Sequence, residues 1–154
     1  MGGDGRGGWN KLGNVRALEE KAREALKGGK RNVFISFAAE DMDEVNLLRA
    51  QTKNDNSDIE FNDHSVKEPF DSERAEYIKC KIAERIARIS ITVVYLSNNT
   101  AQSRWVKWEV EKSIELGKKV IAVHSGESYA GKKPSWLTEN ISVVPWNKLA
   151  VNLK

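Results

Sequence analysis

The sequence predicts an α/β domain, a flavodoxin-like five-stranded parallel sheet of order 2-1-3-4-5 with helices on both faces. Three observations predict it. Segments such as Val33–Phe37 and Ser90–Ser97 are apolar at nearly every position, as strands buried on both faces must be. Stretches of helical period lie between them, so crossovers are helical and wound right-handedly. A chain of 154 residues, 40% hydrophobic and 31% charged, suits one domain of that size and leaves little for a second.

Residues 1–30 read as a Gly-rich tail and a short amphipathic helix, capped by Asn14 and ended by Gly28-Gly29, with Val15, Leu18, Ala22 and Leu26 near one face. The domain is residues 31–154. Val33–Phe37 is the first strand, and Asp41 with Glu44 forms a capping-box pattern opening a helix to about Thr52. A second strand, Asp58–Asn62, precedes the loop Asp63–Phe70. A helix from about Ser72 to Arg88 follows, with Ile78, Ile82 and Ile86 as its buried stripe. Ser90–Ser97 is the central strand. After the polar loop Asn98–Arg104, a helix runs from Trp105 to Leu116, stopped by Gly117, with Val106, Val110 and Ile114 turned to the sheet. Lys119–His124 and Ile141–Trp146 are the last strands. The stretch Ser125–Asn140 has room for at most a short helix, and a helical turn or two closes the chain.

Charge narrows the partners. Residues 1–31 hold eight Lys/Arg and four Asp/Glu, while the other 123 hold 17 and 18, so the body is nearly neutral. That predicts no nucleic-acid footprint, which needs clustered basic residues. The apolar runs are too short to span a bilayer, so no membrane is expected. One cysteine, Cys80, excludes an internal disulfide, and with no cleavable leader the expected location is the cytoplasm. The two histidines lack companions at metal-ligand spacing, so no metal is expected.

Ligands of such sheets bind beyond the carboxyl ends of the strands. Several common tenants are excluded there. No Gly-x-Gly-x-x-Gly follows the first strand, and no P-loop is present. The central strand ends in Ser97-Asn98-Asn99, without the phosphoacceptor Asp of a receiver domain. Phe37-Ala38-Ala39-Glu40-Asp41 cannot supply the hydroxyl-rich phosphate loop of a flavodoxin. What stands out is Ser103–Glu109, where a helix starts at the ligand edge. Trp105 and Glu109 are four apart and share a helix face. Glu109 borders the apolar stripe, so it is expected to be partly buried, favoured by the helix dipole and disfavoured by desolvation. Taken alone it reads more simply as a capping or surface glutamate.

Strand Val33–Phe37 followed by Asp41, the Asp63–Phe70 loop and Trp105-x-x-x-Glu109 together resemble the TIR domain, most closely the bacterial and archaeal TIR-like branch that includes the Thoeris anti-phage proteins. The resemblance covers about Arg31–Asn147 and is most specific at Ser103–Glu109, where catalytic TIR domains carry a glutamate four residues after a tryptophan. It implies an enzyme that cleaves the nicotinamide–ribose bond of NAD, with NAD as substrate and no resident cofactor. Glu109 is then the catalytic carboxylate, stabilising an oxocarbenium-like ribose. Trp105 either stacks on a ring of the substrate or packs the core. Ser36 and Phe37 end the first strand, where they line the pocket or pack the sheet. His64 and Ser65 sit in the loop that borders substrate in TIR domains, although a lone loop histidine is usually just solvated. His124 ends the fourth strand on the ligand edge. Tyr129 and Trp136 either cover the site or pack the long loop.

The resemblance further implies ADP-ribose or a cyclic or conjugated ADP-ribose signal, an effector protein that receives it in antiviral defence, and a homo-oligomer on activation. A neighbouring subunit, meeting the Asp63–Phe70 loop, is expected to complete the site. The alternatives are a non-catalytic interaction module on the same fold and, more remotely, a small-ligand sensor. Replacing Glu109 by Gln is expected to cost about 3 kcal/mol of transition-state stabilisation and to leave folding nearly unchanged.

Overall fold

The computed structural model describes residues 31–54, 59–63 and 69–153. The tail and helix read from residues 1–30 lie outside that set, as do His64 and Ser65. Five strands form one parallel sheet of order β2-β1-β3-β4-β5: β1 Arg31–Ser36, β2 Ile59–Asn62, β3 Ile91–Tyr95, β4 Lys119–His124 and β5 Ser142–Pro145. Val33 aligns with Ile91 and Ser36 with Val94 across β1 and β3, and Tyr95 aligns with Val123 across β3 and β4. The two most apolar segments are therefore adjacent inner strands, as their composition requires.

Among the described residues four helices cover the sheet: α1 Met42–Asn54, α2 Ala75–Ala87, α3 Arg104–Glu115 and the short α4 Leu149–Asn152. Strand alternation divides them between two faces. Val33, Ile35, Val93, Tyr95, Ile121 and Val123 point to one side and pack with Val45 of α1, Trp146 and Leu149 of α4. Phe34 points to the other and meets Ile78, Ile82 and Ile86, the stripe of α2. On that same side Val94, Leu96, Val120 and Ala122 meet Val106 and Val110 of α3.

Two local expectations change. The stripe of α3 does not continue through Ile114, which is 54% exposed; Ser113 is buried in its place. Its Oγ lies 2.8 Å from Thr92 Oγ1 on β3 and donates to the Glu109 carbonyl at 2.7 Å. The face toward the sheet is thus 106, 109, 110 and 113, which draws Glu109 inward. The capping box at Asp41 and Glu44 is also absent. Asp41 closes a 3-10 turn, Ala39–Asp41, and both carboxylates are taken by side chains from the end of β3. Ser125–Asn140 contains no helix, within the expected limit of at most a short one.

The stop signal of α3 does hold. Gly117 has φ +75°, a left-handed conformation that costs glycine nothing, and its N–H donates to the Ile114 carbonyl at 3.0 Å. At the other end Ser103 is the N-cap, accepting from the Val106 N–H at 3.2 Å.

Candidate active site

Ser36 is the last residue of β1 and, two positions after Phe34, faces α3. Glu109 lies in the second turn of α3 and faces the sheet. The two side chains meet: Ser36 Oγ donates to Glu109 Oε1 at 2.5 Å. Ser36 is 1% exposed and Glu109 4%. Burial pushes the Glu109 carboxyl up to about 8; the Ser36 hydroxyl opposes that rise and the negative charge of Asp63 adds to it. Glu109 is neither at the rim nor within the first helical turn, so the dipole that favours anions there does little for it. It is a buried acid held by one hydroxyl.

The aromatic residues of the same stretch form a wall beside it. Trp105 stands edge-on to Phe70 at 4.8 Å and to Trp108 at 6.4 Å, between ring centroids, and both tryptophans pack against the Phe34–Ile82 cluster. Cations cover the far side of Phe70: Lys79 Nζ lies 4.4 Å and the Arg104 guanidinium 4.7 Å from its ring centre. Trp105 is half-buried in this cluster, as the packing reading of the sequence has it.

The other sequence candidates are dispersed. Phe37 packs with the β1–α1 core, on the opposite face of the sheet from Ser36. His124, at the end of β4, is two strands away from β1. It is buried, with Nδ1 3.0 Å from the Ser125 carbonyl and its ring 6.1 Å from Tyr129. The Tyr129 hydroxyl donates to the Ser97 carbonyl at 2.9 Å and bonds the Lys132 carbonyl, while Trp136 is buried against β3 and β4, so both pack the long loop. Burial, with the negative Asp41 nearby, holds the Tyr129 phenol above its ordinary range.

A second polar cluster at the strand ends was not anticipated. Asp41 is buried and accepts from Ser97 Oγ at 2.5 Å and from Asn99 Nδ2 at 2.8 Å, tying the end of β1 to the end of β3. Thr100 Oγ1 accepts from the Ser97 N–H and donates to the Tyr95 carbonyl, both at 2.8 Å. Tyr95 donates its hydroxyl to Glu44, and burial together with that bond raises its pKa. The signal was present in Ser97-Asn98-Asn99, three side-chain donors at a strand end opposite an acidic turn. Reading Asp41 as a helix cap hid it. No group of three metal-ligating side chains occurs among the described residues.

The family model of the Thoeris protein ThsB, TIR-like domain, matches residues 34–129, from β1 past β4 and including both Ser36 and Glu109. The chain belongs to this family. A Bacillus cereus (strain MSX-D12) protein named "Putative cyclic ADP-D-ribose synthase ThsB1" is 33% identical to this TIR-like domain over 98 residues, 61% of this chain and 51% of the relative. The chain thus spans about half the length of the curated relative it matches. Among solved structures, the TIR domains of the activated Roq1 resistosome recognising the effector XopQ are 23% identical, with a TM-score of 0.45 over 64% of this chain and 59% of that one. A 3-dehydroquinate dehydratase-like protein from Bifidobacterium longum, 12% identical, gives a TM-score of 0.35 over 80% and 92%.

Proposed function

We propose that this TIR-like domain is an enzyme of NAD cleavage, breaking the nicotinamide–ribose bond to give ADP-ribose or a cyclic or conjugated ADP-ribose signal in antiviral defence. The observation that carries the reading is the Ser36–Glu109 pair at the carboxyl end of β1, where ligands of this fold bind. Family membership and the printed name of the Bacillus relative support it.

The chemistry needs little from the protein. The nicotinamide ring of NAD is cationic, so the C1′–N bond can break with both electrons passing to nitrogen, and nicotinamide leaves neutral without a proton donor. The positive charge moves to the ribose as an oxocarbenium. A carboxylate beside it stabilises that charge where it develops, in a water-poor site. The ribosyl cation is then captured by water, giving ADP-ribose after loss of a proton, or by a nitrogen of the adenine, giving a cyclic product. Glu109 must be ionised for this. Its carboxyl holds a proton up to about pH 8 without ligand, and an approaching nicotinamide cation favours ionisation. The Ser36 hydroxyl then donates to the anion and fixes its rotamer. Homo-oligomerisation through the 63–70 loop and transfer of the product to an effector protein belong to the same proposal.

The competing reading is a non-catalytic interaction module. The near-complete burial of Glu109 favours it, because a neutral acid bonded to a serine can be purely structural. The test is nicotinamide release from NAD by the full chain and by Glu109→Gln, at matched fold. A loss of about a hundredfold, equivalent to roughly 3 kcal/mol, supports catalysis. Equal release by the folded variant removes Glu109 from the chemistry.

A further inference from the structure

A cavity of about 500 Å³ opens between the start of β1, the end of β2 and the last turn of α2. It is lined by Asn32, Asn62, Arg85, Arg88 and Ile89. Asn32 precedes Ser36 by four residues on one strand, so the two sites lie about 13 Å apart along β1. We propose that this cavity binds a small phosphate-bearing ligand of nucleoside monophosphate size, at a site separate from Glu109.

Basic residues at a helix C-terminus are favourable without any ligand, and the sequence alone suggests a solvated face for Arg85 and Arg88. Three observations together ask for more. Among the described residues the lining carries two guanidinium groups and no acid, in a domain whose body is otherwise nearly neutral. Arg85 is already oriented, its Nη1 donating to the Asp63 carbonyl at 2.5 Å, which leaves its remaining N–H groups for an anion. Arg88, Asn32 and Asn62 are exposed around one concave surface, so their guanidinium and carboxamide groups are open to a ligand. Guanidinium forks match phosphate oxygens bidentately. Carboxamides offer a donor and an acceptor each, which suits a base edge or sugar hydroxyls, and the buried Ile89 gives an apolar floor. The volume exceeds what inorganic phosphate needs.

Calorimetric titration of the full chain with AMP, inorganic phosphate and adenosine tests this. AMP is expected to bind with a salt-dependent affinity, inorganic phosphate more weakly, and adenosine not measurably over the same range. Arg88→Ala should weaken AMP binding at least about tenfold, while Arg88→Lys, which keeps the charge and loses the fork, should fall between. Arg88 is exposed, so ligand-free melts of both variants should match the parent, and Arg88→Gln serves if the alanine variant does not fold. Absence of AMP binding up to millimolar concentration overturns the proposal. So does AMP binding unchanged by Arg88→Ala, which places the ligand elsewhere, or adenosine binding as tightly as AMP.

Discussion

Ser36 and Glu109 are 73 residues apart in sequence and 2.5 Å apart in space, oxygen to oxygen. The contact joins the carboxyl end of an inner strand to the second turn of the helix that covers the neighbouring strand. It is also the hydrogen bond that opposes the cost of burying the Glu109 charge. Four predictions rest on it and on the cluster beside it.

The first concerns pH and rate. If the ionised Glu109 is the working form, kcat/KM for NAD reports its titration in the free protein. With the carboxyl held up to about 8 by burial, kcat/KM should rise about tenfold per pH unit from pH 6 and level off above about pH 8. A profile flat from pH 6 to pH 8 would show that the reacting form does not depend on this proton.

Ser36→Ala removes the hydroxyl that favours the charged form. The Glu109 pKa should rise further, moving the pH–rate profile to higher pH and lowering the rate at pH 7 by about tenfold for each pKa unit. Ser36→Thr keeps a hydroxyl and should restore part of the profile. A role limited to packing would lower stability and leave the profile in place.

Stability should show the same titration with a definite sign. The unfolded carboxyl titrates near 4.5 and the folded one near 8. Between those values the folded chain holds a proton that the unfolded chain has lost. The stability contributed by Glu109 is therefore complete below pH 4.5 and declines as pH rises to about 8. Glu109→Gln removes the titration. Its stability relative to the parent should improve by roughly 1 kcal/mol per pH unit across this window, read from melts at pH 5, 6.5 and 8. This replaces the expectation of unchanged folding, which assumed a partly exposed residue. A difference independent of pH would mean that Glu109 is ionised in the resting protein.

Asp41→Ala should be destabilising without a change of sheet order. It leaves Ser97 Oγ and Asn99 Nδ2 without their acceptor in a part-buried site, a loss of about 2 kcal/mol by urea unfolding. Asp41→Asn keeps an acceptor oxygen and should recover a portion. A loss below about 0.5 kcal/mol for the alanine variant would mark the cluster as solvent-exposed and weak.

By itself the sequence determined the elements and their order. The runs of β1 and β3, the four-residue isoleucine repeat of α2 and the glycine after α3 are local signals, because strand burial, helix amphipathicity and a left-handed turn are each fixed by a few neighbouring residues. Placing Ser36 at the end of β1 and Glu109 early in the helix after β3 was also within its reach, since both follow from those local boundaries. Only the tertiary structure decided what these residues do to one another. A shift of the α3 face from Ile114 to Ser113 turned a rim glutamate into a buried acid. The same packing separated Phe37 from Ser36, because successive strand residues point to opposite faces. Asp41 and Glu44 had two ways to satisfy their oxygens, the helix N-terminus or side chains across the sheet. Sequence spacing shows the first, and only the approach of the β3 end supplies the second.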